Sequence, residues 1–177
     1  LMDMIEQSLE KMKERDMTED EKKVVAKDVA VAAIKYTVLR QSLGRDIIFD
    51  PEKSLSFEGD SGPYLQYAYV RAKSLLAKAK DLGVVQYVDM AGASKEEGED
   101  TADGINIGGL MLKLEKTLAR YPETVERAWK ELSPHHVANY LIDLAGTFNS
   151  FYANTQIVKA EDVASPYKVA LVQAFSI

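Results

Sequence analysis

The sequence contains no cysteine and only two histidines among its 177 residues. Without cysteine there is no disulfide framework, no thiolate metal site and no thiol nucleophile. The two histidines, His135 and His136, are adjacent. On a helix such neighbours point about 100° apart, so they do not readily share one ion. No apolar run approaches the ~18–20 residues of a membrane span, and residues 1–15 carry charges where a secretory signal is apolar. These absences leave a globular, cytoplasmic chain with no membrane partner, long enough for one substantial core or two small ones.

Positive charge is also in short supply. The 22 Lys and Arg face 28 Asp and Glu, a net charge of −6, which at first argues against a nucleic-acid partner, DNA above all. The deficit is uneven, however. Residues 1–60 are net −4, 61–85 are net +3, 86–109 are net −5 and 110–177 balance. One short segment is basic.

What is present is helical periodicity, with no sustained period-2 alternation. The expectation is an all-α fold. Met4, Ile5, Leu9 and Met12 share a face of a first short helix. Thr18 and Glu21 have capping-box spacing ahead of a second helix carrying Val24, Val25, Val31, Ile34, Val38 and Leu39, with Gly44 as its stop. Residues 45–62 read as a loop anchored by Ile48, Phe49, Leu55 and Phe57. Pro63 then stands at a first helical position behind the capping candidates Asp60 and Ser61, and Gly83 ends that helix. Residues 86–109, with five Gly and six acids, read as a long flexible loop whose acid pairs Glu96-Glu97 and Glu99-Asp100 are solvated rather than catalytic. Ile107, Leu110, Met111, Leu114, Leu118 and Tyr121 mark the next helix, stopped by Pro122. A short one follows with Val125, Trp129 and Leu132 inward. Ser133-Pro134 and Ser165-Pro166 each pair a cap with a first-turn proline. The first precedes an apolar side of Val137, Leu141, Leu144, Ala145, Phe148 and Phe151. The second precedes Val169, Ala170, Val172, Ala174 and Phe175, a helix that is still apolar where the sequence stops and reads as truncated.

The helix from Pro63 carries the chemistry. At about 100° per residue, Leu65, Ala68, Tyr69, Ala72, Leu75, Leu76 and Ala79 form a core face, and Tyr64, Tyr67, Arg71, Ser74 and Lys78 form a second stripe roughly 120° away. Aromatic rings beside cations suit unpaired RNA, because rings stack bases at about 1–3 kcal/mol each while Arg and Lys hold phosphates or base edges. The same stripe also fits boundary tyrosines with wet hydroxyls beside ordinary solvated cations. Spacing alone does not separate the two.

The wording of the segment does. Phe57-Glu58-Gly59-Asp60-Ser61-Gly62-Pro63-Tyr64-Leu65-Gln66-Tyr67-Ala68-Tyr69-Val70-Arg71 closely resembles a signature of arginyl-tRNA synthetases. Ala33-Ile34-Lys35-Tyr36, Ile48-Phe49-Asp50 and Leu55-Ser56-Phe57 upstream are similar to elements of that family, as are His136-Val137-Ala138-Asn139-Tyr140-Leu141, Phe148-Asn149-Ser150-Phe151-Tyr152 and Val169-Ala170-Leu171-Val172 downstream. The resemblance implies a class I enzyme that joins arginine to tRNA through an adenylate made from ATP with magnesium. The motifs of the activating Rossmann domain do not occur here. The implied organisation is therefore a C-terminal piece without catalytic residues or cofactor of its own: a helical stem over 1–60, then an all-helical anticodon-binding bundle over 61–177.

Carried onto this sequence, Tyr64, Tyr67 and Arg71 match positions that contact the anticodon loop, with Ser74 and Lys78 continuing the stripe. Asn149 and Tyr152 match a second element, for which packing and capping are the other roles open. Lys168 stands where the family more often has Arg, which weakens a bidentate role. The implied partner is a tRNA with an arginine anticodon. The anticodon domain of a related class I synthetase, or a helical protein-interaction module, are the alternatives. Lys113, Lys116 and Arg120 share a helix face that could touch RNA backbone or simply be solvated surface, and Trp129 is expected in the core.

Overall fold

The computed structural model describes residues 1–84 and 107–177, apart from the side chain of Ile107. The chain is all-α: α1 Met2–Lys11, α2 Glu19–Leu39, α3 Pro51–Ser54, α4 Gly62–Asp81, α5 Ile107–Ala119, α6 Tyr121–Lys130, α7 His135–Asn154 and α8 Ser165–Phe175, with no strand among the described residues. Of the loop expected at 86–109, residues 86–106 and their acid pairs lie outside the described residues, whereas Ile107, Gly108 and Gly109 already belong to α5. The helices form two compact units, one of Leu1–Tyr67 with Thr124–Ile142, the other of Ala68–Glu123 with Asp143–Ile177.

In the first unit the capping box at Thr18 forms as expected. The Thr18 hydroxyl accepts from the Glu21 N–H, and the Glu21 carboxylate accepts from the Thr18 N–H at 2.9 Å. The buried stripe of α2 is its alanines rather than most of its valines, however. Ala26, Ala30 and Ala33 are fully buried, while Val24, Val38 and Leu39 are exposed. Small side chains let neighbouring backbone approach closely, and one cluster of Met4, Ala30, Ala33 and Leu55 forms there with Ile5, Val29 and Ile34 around it. Helix α2 ends at Leu39, so Gly44 sits in the turn beyond rather than at the helix stop. Within the expected 45–62 loop, Asp50 accepts from the Lys53 N–H at 3.1 Å and starts the single turn α3. Of the four proposed anchors only Leu55 is buried; Ile48, Phe49 and Phe57 are exposed.

Helix α6 departs furthest from expectation. Val125, Trp129 and Leu132 point outward, Trp129 at 77% exposure. The polar side of α6 is served locally by Arg127–Glu131 and Lys130–Glu126 ion pairs, and no residue of the helix is buried. Amphipathic spacing shows that a helix has an apolar face, not that anything covers it. Its end is a Schellman turn in which the Ser133 N–H donates to the Ala128 carbonyl at 2.9 Å and Leu132 takes the left-handed position, φ 51°, normally glycine's. The Ser133 hydroxyl donates to the Glu131 carbonyl and does not cap α7. Leu141 of α7 is likewise more exposed than expected, and Tyr140 is buried in its place.

The second unit holds the larger side chains. Ala68, Ala72 and Ala79 of α4, Leu114 of α5, Leu144, Ala145, Phe148 and Phe151 of α7, and Val169, Leu171 and Val172 of α8 are buried. The rings of Phe148 and Phe175 stack with centroids 4.1 Å apart. Tyr69, expected in this core, is exposed instead, with the Lys73 ammonium 5.2 Å above its ring. Gly83, φ +66°, closes α4 in a Schellman turn where the Val84 N–H reaches the Ala79 carbonyl at 2.9 Å. Helix α5 stops at Ala119, and exposed Tyr121 opens α6, with Pro122 inside the first turn of α6 rather than ending α5. Ser165 is wholly buried and does not cap α8. It donates to the Ile157 carbonyl and accepts from the Lys159 N–H, bracing the segment before the helix. Ala174 is exposed.

Candidate functional site

The start of α4 is held from several directions within the first unit. The buried Ser61 hydroxyl accepts from the Tyr64 N–H at 3.1 Å, so Ser61 is the cap. Asp60 is used otherwise. It accepts from the Tyr36 hydroxyl and pairs with the Arg40 guanidinium at 2.5 Å. Burial, with the hydrogen bond to Asp60, pushes the Tyr36 phenol well above its ordinary range, so it stays protonated and donating. Gly62 closes the arrangement. A Cβ there would lie 2.3 Å from the Ala32 carbonyl oxygen, so only glycine lets the first turn of α4 back onto α2. Sequence spacing offers both Asp60 and Ser61 as caps ahead of Pro63, of which Ser61 is the one used, and nothing in it signals that Tyr36 and Arg40 reach Asp60.

The predicted stripe is divided between the units. Tyr64, half-buried, and Tyr67, 42% exposed, belong to the first. Arg71, Ser74 and Lys78 belong to the second. The Ser74 hydroxyl donates to the Val70 carbonyl of its own helix, while Lys78 is exposed in the last turn of α4.

Arg71 is the best-defined member. Its Nη1 donates to Asn149 Oδ1 at 2.8 Å, and its guanidinium lies 4.8 Å over the ring of Tyr152, which is 37% exposed. Asn149 Nδ2 is shut off from solvent with no hydrogen-bond partner among the described residues. A hydrogen bond to a charged group is worth about 1.5–3 kcal/mol net, and a cation–π contact at an exposed site about 0.5–1 kcal/mol. Together they hold a half-buried guanidinium in one plane beside an accessible ring. Such a group binds carboxylate, phosphate or a base edge with little rotamer freedom left to lose. Asn149 and Tyr152 were expected from the resemblance, but their meeting with Arg71, 78 residues away for Asn149, has no signal in spacing.

Other candidates have structural partners. His136 Nε2 lies 2.5 Å from Glu131, tying α7 to the end of α6, and Glu131 is held below the usual carboxylate range by Arg127 and then His136. No cluster of three metal-capable side chains occurs among the described residues. Lys168, 9% exposed, pairs with Asp162 at 2.8 Å and donates to the Gln156 carbonyl. Burial pushes Asp162 up, but hydrogen bonds from Lys168 and the Ala164 N–H outweigh it and hold the carboxyl below its ordinary value. Lys113, Lys116 and Arg120 line a cavity of about 420 Å³ on the second unit.

The chain matches the DALR anticodon binding domain over residues 65–177 and belongs to that family. Its curated relatives are arginine–tRNA ligases. It is 39% identical to that of Pyrococcus furiosus over 94% of this chain and 25% of the relative, and 34% identical to that of Clostridium botulinum over 98% and 28%. The arginyl-tRNA synthetase of Thermus thermophilus superposes with a TM-score of 0.77 at 28% identity, over 99% of this chain and 28% of that one. The chain thus spans about a quarter of the length of the relatives it matches.

Proposed function

We propose that this chain binds the anticodon loop of a tRNA with an arginine anticodon, as the recognition part of an arginine–tRNA ligase whose chemistry with arginine, ATP and magnesium is carried out elsewhere in the enzyme. The observation that carries the reading is the fixed Arg71, clamped by Asn149 and laid over Tyr152. In this reading the Arg71 fork meets a base edge or phosphate and the exposed Tyr152 ring supplies a stacking surface. Tyr64 and Tyr67 supply further rings, and Lys78 meets the backbone. Ser74, already donating to its own helix, contributes an acceptor. Ser61, Gly62 and the Tyr36–Asp60–Arg40 group act one step back by fixing where α4 begins. Unpaired bases suit such a surface because their faces and edges are open, as they are not in an A-form stem.

The test is direct binding of tRNA to the chain and to Arg71→Ala and Tyr67→Ala. Each variant is expected to weaken binding by about 5- to 150-fold, the 1–3 kcal/mol of one base contact or stack. Binding should also weaken steeply with salt through counterion release. Unchanged affinity in both variants would remove the site. Absence of tRNA binding, with salt-insensitive binding of a protein partner instead, would favour an apolar protein-docking surface.

A further inference from the structure

Helix α5 has two chemically different sides. Glu115 accepts from the Tyr167 hydroxyl of α8 at 2.6 Å, and Leu114 and Thr117 are buried. Lys113 and Lys116, with Arg120 directly after the last residue of α5, fall on a side away from Glu115, within an arc of about 60° if the 100° spacing is continued to Arg120. They line a cavity of about 420 Å³ together with Gly109, Leu112, Thr117 and Asp143. Among the described residues Asp143 is the only acid in that lining, and it lies 3.4 Å from Arg120 with both side chains more than half exposed. Such an exposed pair contributes little to stability. Lys113 and Lys116 are exposed and make no ion pair with any described residue. The lining therefore carries three cations against one anion, in a chain whose net charge is −6.

We infer that this cavity is a second RNA contact, in which Lys113, Lys116 and Arg120 hold consecutive phosphates of the tRNA backbone. A concave surface with excess positive charge and an exposed apolar side chain at Leu112 suits a sugar–phosphate strand. It is separate from the Arg71 cluster. Asp143 and Asn149, which meet Arg120 and Arg71, are six residues apart on α7, hence about 120° around the helix and about 9 Å along it. The two sites have different tasks. Arg71 with its ring and amide can read a base, whereas three cations over a cavity hold a backbone without regard to sequence.

The inference rests on the tRNA reading above, and one experiment separates the two. Labelled tRNA transcript is titrated with the chain and with Lys113→Gln/Lys116→Gln at 50 and 200 mM salt. A control, Lys23→Gln/Lys27→Gln on α2, removes the same number of charges from another surface. Circular dichroism confirms that each variant is folded. Without two of its phosphate-holding cations, the cavity variant should have an affinity about 7- to 12-fold less sensitive to that change of salt than wild type, with weaker binding at low salt to every tRNA sequence alike. The control should behave as wild type. If wild type binds and the cavity variant matches the control in affinity and salt slope, the second contact is refuted and the anticodon reading stands. If wild type does not bind tRNA at all, both fall.

Discussion

Arg71, Asn149 and Tyr152 form one unit at the scale of single residues. If the amide holds the guanidinium and the guanidinium does the binding, then Arg71→Lys, which keeps the charge but loses the planar fork, should weaken tRNA binding nearly as much as Arg71→Ala. Asn149→Ala should act only through Arg71. In a double-mutant cycle on tRNA affinity, the Arg71→Ala and Asn149→Ala effects should fall short of additivity by about 0.5–3 kcal/mol. Strict additivity would show that Asn149 has an independent role. Tyr167 carries a pH prediction. Burial, with the hydrogen bond to Glu115, pushes its phenol up to about 12. A group whose pKa is raised on folding contributes stability that is whole below the unfolded value near 10 and is lost as pH rises towards 12. Thermal melts should therefore show a falling alkaline limb in that window, shallower in Tyr167→Phe, while Tyr167→Phe is less stable than wild type at neutral pH.

Elements carry the contrast between what was legible and what was not. The starts and stops with local chemistry were readable. Thr18 with Glu21, Ser61 ahead of Pro63, and Gly83 each act within four residues of the backbone groups they satisfy. Ser133 and Ser165 carry the same cap-and-proline wording, but α7 begins only at His135 and α8 already at Ser165, so neither serine holds the cap position, and their hydroxyls donate to the Glu131 and Ile157 carbonyls. Burial was less readable, because it depends on what a face meets. Val24, Ile48 and Trp129 look like core from composition and spacing, yet lie in the open. Ala30 and Ala33 look neutral, yet form the packing line of α2. Two substitutions measure this difference. Phe148→Ala, at a fully buried and stacked ring, should cost about 3–5 kcal/mol in denaturant unfolding, whereas Trp129→Ala should change stability by under about 0.5 kcal/mol. Gly62→Ala is the sharper probe of how α4 is aimed. It drives a Cβ into the Ala32 carbonyl, so lost stability should come with weaker tRNA binding, although Gly62 itself offers no side chain to RNA.

For the whole molecule, net charge was the most misleading quantity. The total of −6 suggests repulsion from RNA, but five units of that deficit fall within residues 86–109, while residues 61–85, which hold most of α4, are net +3. The all-helical class followed from periodicity, and the family from one specific run around Pro63. The Arg71–Asn149–Tyr152 cluster followed from neither, since its parts come together only when α4 and α7 pack. The central claim is recognition of an anticodon, and it is tested most directly by titrating the chain with two tRNA transcripts identical except for the anticodon. The arginine anticodon should bind at least about fivefold more tightly than one with all three anticodon bases replaced, the equivalent of about 1 kcal/mol for one base contact. Equal affinity for the two at every salt concentration would contradict anticodon recognition.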